Sequence, residues 1–312
     1  MIQGSCLGPI LFVLFVNDIT DGLDNGTTAK LYADDLKLYA KININSIVNS
    51  LQNSLDVIYR WSLEWQLSIS FLKCFILVLN VNCRIDFNCN NYVFKLGNNI
   101  LEYKNAVRDL GIVVDGNLKF SDHIAEITTK AHQRANLILR CFQSKNPKSL
   151  LQAFKTYVRP LLEYNSQIWS PLSLTEITKI DKVQKQFTKR IPGLFNLSYY
   201  HRLQSLNIES LELRRLRADL TMTYKILFHH TGMNPNNFFL LQKCDHYKLR
   251  SHGFQIKPAN TFKTVRSDRC LFNRVISIWN SLPSTTDFSS LKGFKDSIQK
   301  ITLVKYCRLN FN

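Results

Sequence analysis

Residues 30–40 place two adjacent carboxylates, Asp34 and Asp35, inside a short stretch that is apolar on both sides, with Leu36 and Leu38 alternating against Lys37. A two-residue period on either side of a polar break is the pattern of a β-hairpin, so the acids are expected at its tip. Carboxylates about 4 Å apart repel by roughly 4 kcal/mol at an effective dielectric near 20, so a partly enclosed pair needs a cation or a shared proton. A divalent metal meets that need, because hard oxygen donors hold Mg²⁺ through few protein ligands and leave room for substrate phosphates. In phosphoryl-transfer sites two ions about 3.5–4 Å apart activate the attacking oxygen and stabilise the leaving one. An Asp-Asp pair is also an ordinary turn sequence.

Charge narrows the partners. The 312 residues hold 40 Lys and Arg against 23 Asp and Glu, a net +17, which raises the prior for a polyanion, nucleic acid first. Residues 1–40 contain two Lys and five Asp, net −3, so the other 272 carry +20. An acidic patch on a basic body reads as a cation site beside a polyanion track, or as a solvated face. The eight cysteines include no C-x-x-C pair, which predicts reduced thiols in an intracellular protein, nuclear or cytoplasmic. The longest apolar run, Ile10 to Val16, is too short to span a bilayer, and Met1–Pro9 lacks the positive charge of a signal peptide. Neither membrane insertion nor secretion is expected.

Length predicts roughly two domains. Gln3-Gly4-Ser5-Cys6-Leu7-Gly8-Pro9 is a glycine-punctuated loop leading into a helix over Ile10–Asn17. Ile47, Leu51, Leu55 and Ile58 recur at helical spacing within 45–65. Short strands are predicted over 67–70, 75–79, 92–96, 100–103 and 110–114. From about residue 121 the pattern becomes amphipathic helices: one capped by Ser121, others over 149–164, about 177–187 and 209–228, then a loop over 229–268 and helices over 269–282 and 290–301. The fold class is α+β, and no internal repeat is visible.

Gln3-Gly4-Ser5-x-Leu7-Gly8-Pro9-Ile10-Leu11-Phe12, Asn17-Asp18 and Tyr32-Ala33-Asp34-Asp35 resemble consecutive conserved blocks of the reverse transcriptases of non-LTR retrotransposons, the jockey and CR1-type branch above all. The resemblance continues through Trp65-x-Leu67 and Lys73-Cys74, then Asp109-Leu110-Gly111. Val158-Arg159-Pro160-Leu161-Leu162-Glu163-Tyr164, Trp169-Ser170-Pro171, Leu211-Glu212-x-Arg214-Arg215 and Trp279-Asn280-x-Leu282-Pro283 resemble the region that follows the polymerase core. The whole series, in order, covers nearly the entire chain.

The resemblance implies a partial polymerase palm of β-hairpins and helices over 1–120, a helical thumb-like and post-polymerase region over 121–228, a linker over 229–268 and short C-terminal helices over 269–312. It implies RNA-directed DNA synthesis with an RNA template, a DNA primer and deoxynucleoside triphosphates as partners. Asp34 and Asp35 would be ligands of Mg²⁺ or Mn²⁺, Asp34 the firmer. Tyr32 would support the primer end or incoming nucleotide, and Gln3 and Gly4 would face the nucleotide. Lys73 would steady or protonate the departing pyrophosphate, or else be a solvated lysine.

The family also uses a third Asp upstream of the Gln-Gly loop, whereas only Met1 and Ile2 precede Gln3 here, and Asp18 and Asp21 lie on the wrong side of it. The chain is therefore expected to be truncated at its N-terminus, to bind metal weakly and to be inactive alone, since this catalysis is positioning plus electrostatics. The rivals are a non-catalytic nucleic-acid-binding remnant and a product that does not fold stably. Candidate backbone-tracking residues are Lys182, Lys185, Lys189 and Arg190, with Lys179, Arg214, Arg215 and Arg217, beside Phe195, Tyr199 and Tyr200 for base stacking. Cys244, His246 and His252 offer three zinc-type ligands at poor spacing, and Cys83 and Cys89 no better.

Overall fold

The computed structural model describes residues 5–41, 47–79, 92–242, 252–259 and 269–309, a helix-rich α+β chain whose described strands occur only in pairs. It divides into two compact units, one comprising residues up to Val107 with Asp115–Asn117, the other Arg108–Val114 and everything from Leu118. No described helix is long and apolar enough to cross a membrane.

In the first unit, α1 (Gly8–Val16) carries Pro9 in its opening turn, where the missing N–H leaves no bond unmade. Phe12, Phe15 and Val16, with Ile19 of the following 3₁₀ turn, pack against Ile58 and Trp61 of α2 (Ile47–Glu64). Strands β1 (Thr27–Tyr32) and β2 (Asp35–Ala40) form an antiparallel hairpin in register from Thr27↔Ala40 to Tyr32↔Asp35, and Leu36 and Leu38 join the same core. A second cluster, Phe94, Leu96 and Leu101, lies against Leu51, Leu55 and Tyr59 of α2.

The remaining strands are shorter than expected. β3 (Phe75–Ile76) runs parallel to β6 (Glu102–Tyr103), and β4 (Lys95–Leu96) pairs with β5 (Asn99–Ile100) around Gly97. Gly97 has φ +59, and a Cβ there would lie 2.5 Å from the Tyr59 ring, so the turn admits only glycine. No strand forms over 67–70: Gln66 at φ 52 reverses the chain after α2, and a 3₁₀ turn follows at Phe71–Lys73. The run expected as a strand over 110–114 begins instead in a turn. Leu110 (φ 44) and Gly111 (φ 86) are both left-handed, the signature of a type I′ connection between β7 (Ala106–Asp109) and β8 (Ile112–Asp115).

The second unit opens with α3 (Ser121–Cys141). Ser121 does not cap it: Phe120 at φ 58 occupies that position, and the Ser121 hydroxyl donates to Glu176 Oε1 at 2.6 Å. The helix expected over 149–164 is α4 (Pro147–Ala153), a π turn at Phe154–Val158 and α5 (Arg159–Glu163). Pro160 has no N–H for the regular ladder, and the wider turn accommodates the break. With α6 (Ser166–Trp169) and α7 (Leu174–Lys189) these enclose a core around Ala131, Phe154, Val158, Leu162, Ile180 and Phe187.

After α8 (Tyr199–Ser205), α9 (Leu211–Leu227) belongs to two cores. Leu211 sits in the first, while Leu213, Leu220, Tyr224 and Ile226 build a second. That second core is completed by β9 (Phe239–Leu241), β10 (Ile256–Pro258), α10 (Leu271–Arg274), α11 (Ile276–Asn280) and α12 (Leu291–Lys300). The span expected as loop thus contains an antiparallel pair with Phe239 and Ile256 buried, and the expected helix over 269–282 is two short helices meeting at Val275.

Candidate metal hairpin and basic surface

The tip of β1–β2 is a two-residue turn, Ala33-Asp34, with Tyr32 facing Asp35 across the strands. Ala33 has φ 52, a left-handed conformation costing a residue with a Cβ roughly 1–2 kcal/mol, so the tight turn is held by the paired strands beneath it. Leu36 and Leu38 anchor the hairpin to the core while Tyr32, Asp34 and Asp35 stay exposed. The result is two adjacent carboxylates at a fixed apex, with oxygen donors of the kind a hard divalent cation takes.

Among the described residues no third acid, His or Cys gathers with them. Asp18 accepts a hydrogen bond from Trp61 Nε1 at 3.0 Å, and Asp24 is held below the usual carboxylate range by the Ser50 hydroxyl and then the Gly26 N–H. Both are structural. Lys73 ends the 3₁₀ turn, exposed, with its backbone N–H on Ser70 O and no ion pair to either apical aspartate among the described residues. Gln3 and Gly4 lie outside the described residues, as do Cys83, Cys89, Cys244 and His246. His252 is buried with both ring nitrogens engaged by backbone, Nε2 with Trp279 O at 2.8 Å and Nδ1 with the Phe254 N–H at 3.2 Å, so it has no lone pair to give a metal.

The basic candidates separate into two groups. Lys182, Lys185, Lys189 and Arg190, with Lys179, stand exposed along the outer side of α7 and its end. Arg190 donates to Asn136 of α3 at 2.6 Å, and His132 of α3 is held below its ordinary range by burial and then by Lys182. The arginines of α9 instead turn inward. Arg214 pairs with Glu163 (Nη2–Oε2 3.1 Å), Arg217 pairs with Glu209, and Arg215 is 3% exposed in the field of Asp181, Glu212 and Asp219. Burial pushes the Arg215 guanidinium down and the Asp181 carboxyl up, with each charge opposing the other's shift. Asp219 forms a two-bond pair with Arg274 at 2.8 and 2.9 Å. Arg214 and Arg217 are tied up by carboxylates and Arg215 is buried, so the three do not form an open backbone track. Their phase was the available signal: Leu211, Arg215, Asp219 and Thr223 follow one another at steps of four, and all four are buried.

Comparison with known proteins gives the hairpin its context. Residues 1–114 match the family described as reverse transcriptase (RNA-dependent DNA polymerase). Over 201 residues the chain is 27% identical to the RNA-directed DNA polymerase from mobile element jockey of Drosophila funebris, covering 61% of this chain and 21% of that protein. The matched segment is thus similar to reverse transcriptases, and the wider chain to the RNA-directed DNA polymerases of mobile elements. The jockey polymerase of Drosophila melanogaster is 25% identical over 246 residues (75% of this chain, 26% of the relative). The probable RNA-directed DNA polymerase from transposon BS of the same species is 26% identical over 248 residues (73% and 26%). Reverse-transcriptase relatives thus align well past residue 114, into the helical unit, and the chain spans about a quarter or less of their length. No solved structure matches.

Proposed function

We propose that β1–β2 is the metal hairpin of a nucleotidyl-transfer site acting with RNA template, DNA primer and deoxynucleoside triphosphate. The observation that carries this is the pair of exposed carboxylates at the hairpin tip, Asp34 in a two-residue turn whose first residue is left-handed and Asp35 opening β2. Asp34 and Asp35 would hold Mg²⁺ or Mn²⁺, which when bound supplies charge stabilisation to attacking and leaving oxygens. Tyr32 offers an exposed ring beside the apex to the primer end or base, and Lys73 a mobile ammonium that can hand a proton to departing pyrophosphate. Gln3 and Gly4 would line the nucleotide.

With no third acid beside them among the described residues, Asp34 and Asp35 are proposed to bind a divalent ion weakly, and this chain alone to bind nucleic acid without extending a primer. A Mn²⁺ titration read by electron paramagnetic resonance should show weak binding that Asp34→Asn with Asp35→Asn abolishes; binding unaffected by that double change overturns the metal hairpin. Primer extension on RNA with either metal should give no product, and extension lost in Asp34→Ala would overturn the inactivity. The second reading, a non-catalytic nucleic-acid-binding remnant, is favoured by the lysines along α7.

A further inference from the structure

We propose that the outer side of α7, together with Phe195 and Tyr200, is a binding surface for single-stranded nucleic acid. The inference rests on the reading that this basic chain tracks a phosphate backbone and adds which form of nucleic acid the surface takes. It concerns residues outside the segment matched as reverse transcriptase.

The exposed side of α7 carries Lys179, Lys182, Lys185 and Lys189 and no exposed carboxylate. Its two acids are Asp181, 3% exposed, and Glu176, half-buried against Ser121. Lysines spread over ten residues of helix span about 15 Å, enough to meet several successive phosphates. α7 itself offers no exposed acid to these lysines, whereas Arg214 and Arg217 of α9 are paired with carboxylates.

One large ring, Phe195, stands where this row ends, and a second, Tyr200, follows on α8. Phe195 is 67% exposed and Tyr200 47% exposed. Neither is a loose side chain on a frayed segment. The connection from α7 to α8 is built: Leu194 is buried and its N–H donates to Ile191 O at 3.1 Å, Leu197 N–H donates to Leu194 O at 3.2 Å, and Ser198 caps α8 through the His201 N–H. Lys189 Nζ lies 5.0 Å from the Phe195 ring centroid, and Tyr200 is oriented by Gln204, whose Nε2 donates to its hydroxyl at 2.9 Å. One exposed ring is commonplace. A positioned ring at the end of a lysine row, with a second exposed ring on the next helix, offers stacking faces beside a phosphate track, and unpaired bases are what such faces accept. In a duplex the base faces are already stacked and the rings have nothing to gain.

Fluorescence anisotropy with the full chain tests this, using a labelled oligouridylate, the matching single-stranded DNA and a blunt duplex of equal length. Tighter binding to the single strands, with Phe195→Ala and Tyr200→Ala weakening them by about tenfold each while duplex affinity stays within about twofold, is the expected result. Phe195→Trp should keep the affinity, and Lys182→Gln with Lys185→Gln and Lys189→Gln should lower the salt slope of single-strand binding by about 2. Duplex binding as tight as single-strand binding, lost with the lysines and indifferent to the rings, overturns the single-strand assignment and leaves the backbone track standing. Binding indifferent to the lysines overturns both.

Discussion

Leu110 holds a left-handed backbone position that its Cβ penalises, in a turn whose two central residues both have positive φ. Asparagine before glycine is the preferred pair for such a turn, and the Leu110 side chain is already 37% exposed. Leu110→Asn should therefore stabilise the chain by about 1 kcal/mol, read as a higher urea midpoint at unchanged slope. The Leu110 carbonyl, which accepts from Tyr164 Oη at 3.1 Å, is untouched by the change. Asp219 sits at the opposite extreme. Burial raises its pKa while Arg274 opposes the rise, and Asp219→Asn would leave the Arg274 charge buried without its carboxylate partner. A loss of about 3–5 kcal/mol in chemical denaturation is expected. The apical aspartates were legible in the sequence because adjacency and alternation are local properties. The fate of the α9 arginines was not, because Glu163 and Asp181 are brought to that helix only by tertiary packing.

At the scale of elements, amphipathic helices were legible from their period, and α2, α7, α9 and α12 fall within a few residues of their expected bounds. What escaped were elements made by partners rather than by pattern. β9 and β10 are three residues each and exist through pairing with one another, and the break before α5 follows from one missing N–H at Pro160. Buried histidines tie several of these elements together. His252 Nε2–H donates to Trp279 O while Nδ1 accepts from Phe254, and His123 Nδ1 accepts the Val113 N–H at 3.3 Å. Burial holds both below the ordinary imidazole range, so each is neutral when folded. The unfolded chain takes up protons near pH 6.5, so this stability is complete above that pH and is lost as pH falls through the lower folded values. Urea midpoints should drop between pH 7.5 and 5.5, and His252→Ala, though less stable at pH 7.5, should show a shallower drop.

For the whole molecule, burial is unequal between the two units. Among the described residues the first rests on two small clusters, around Trp61 and around Leu96, whereas the second has two extended cores sharing α9. Opening free energies follow such differences. Limited proteolysis should cut the first unit before the second, leaving a resistant fragment that starts near residue 118; cleavage within α9 at the same rate would contradict this. The position of α9 also decides which genetic lesions the sequence tolerates. Loss of one codon within it would rotate every following side chain by about 100°, carrying Asp219 away from Arg274 and Leu220 out of its core. Loss of one codon at exposed Gly232, beyond the end of that helix, would leave its phase intact. A one-codon loss near Ala218 would thus cost the fold far more than the same loss at Gly232.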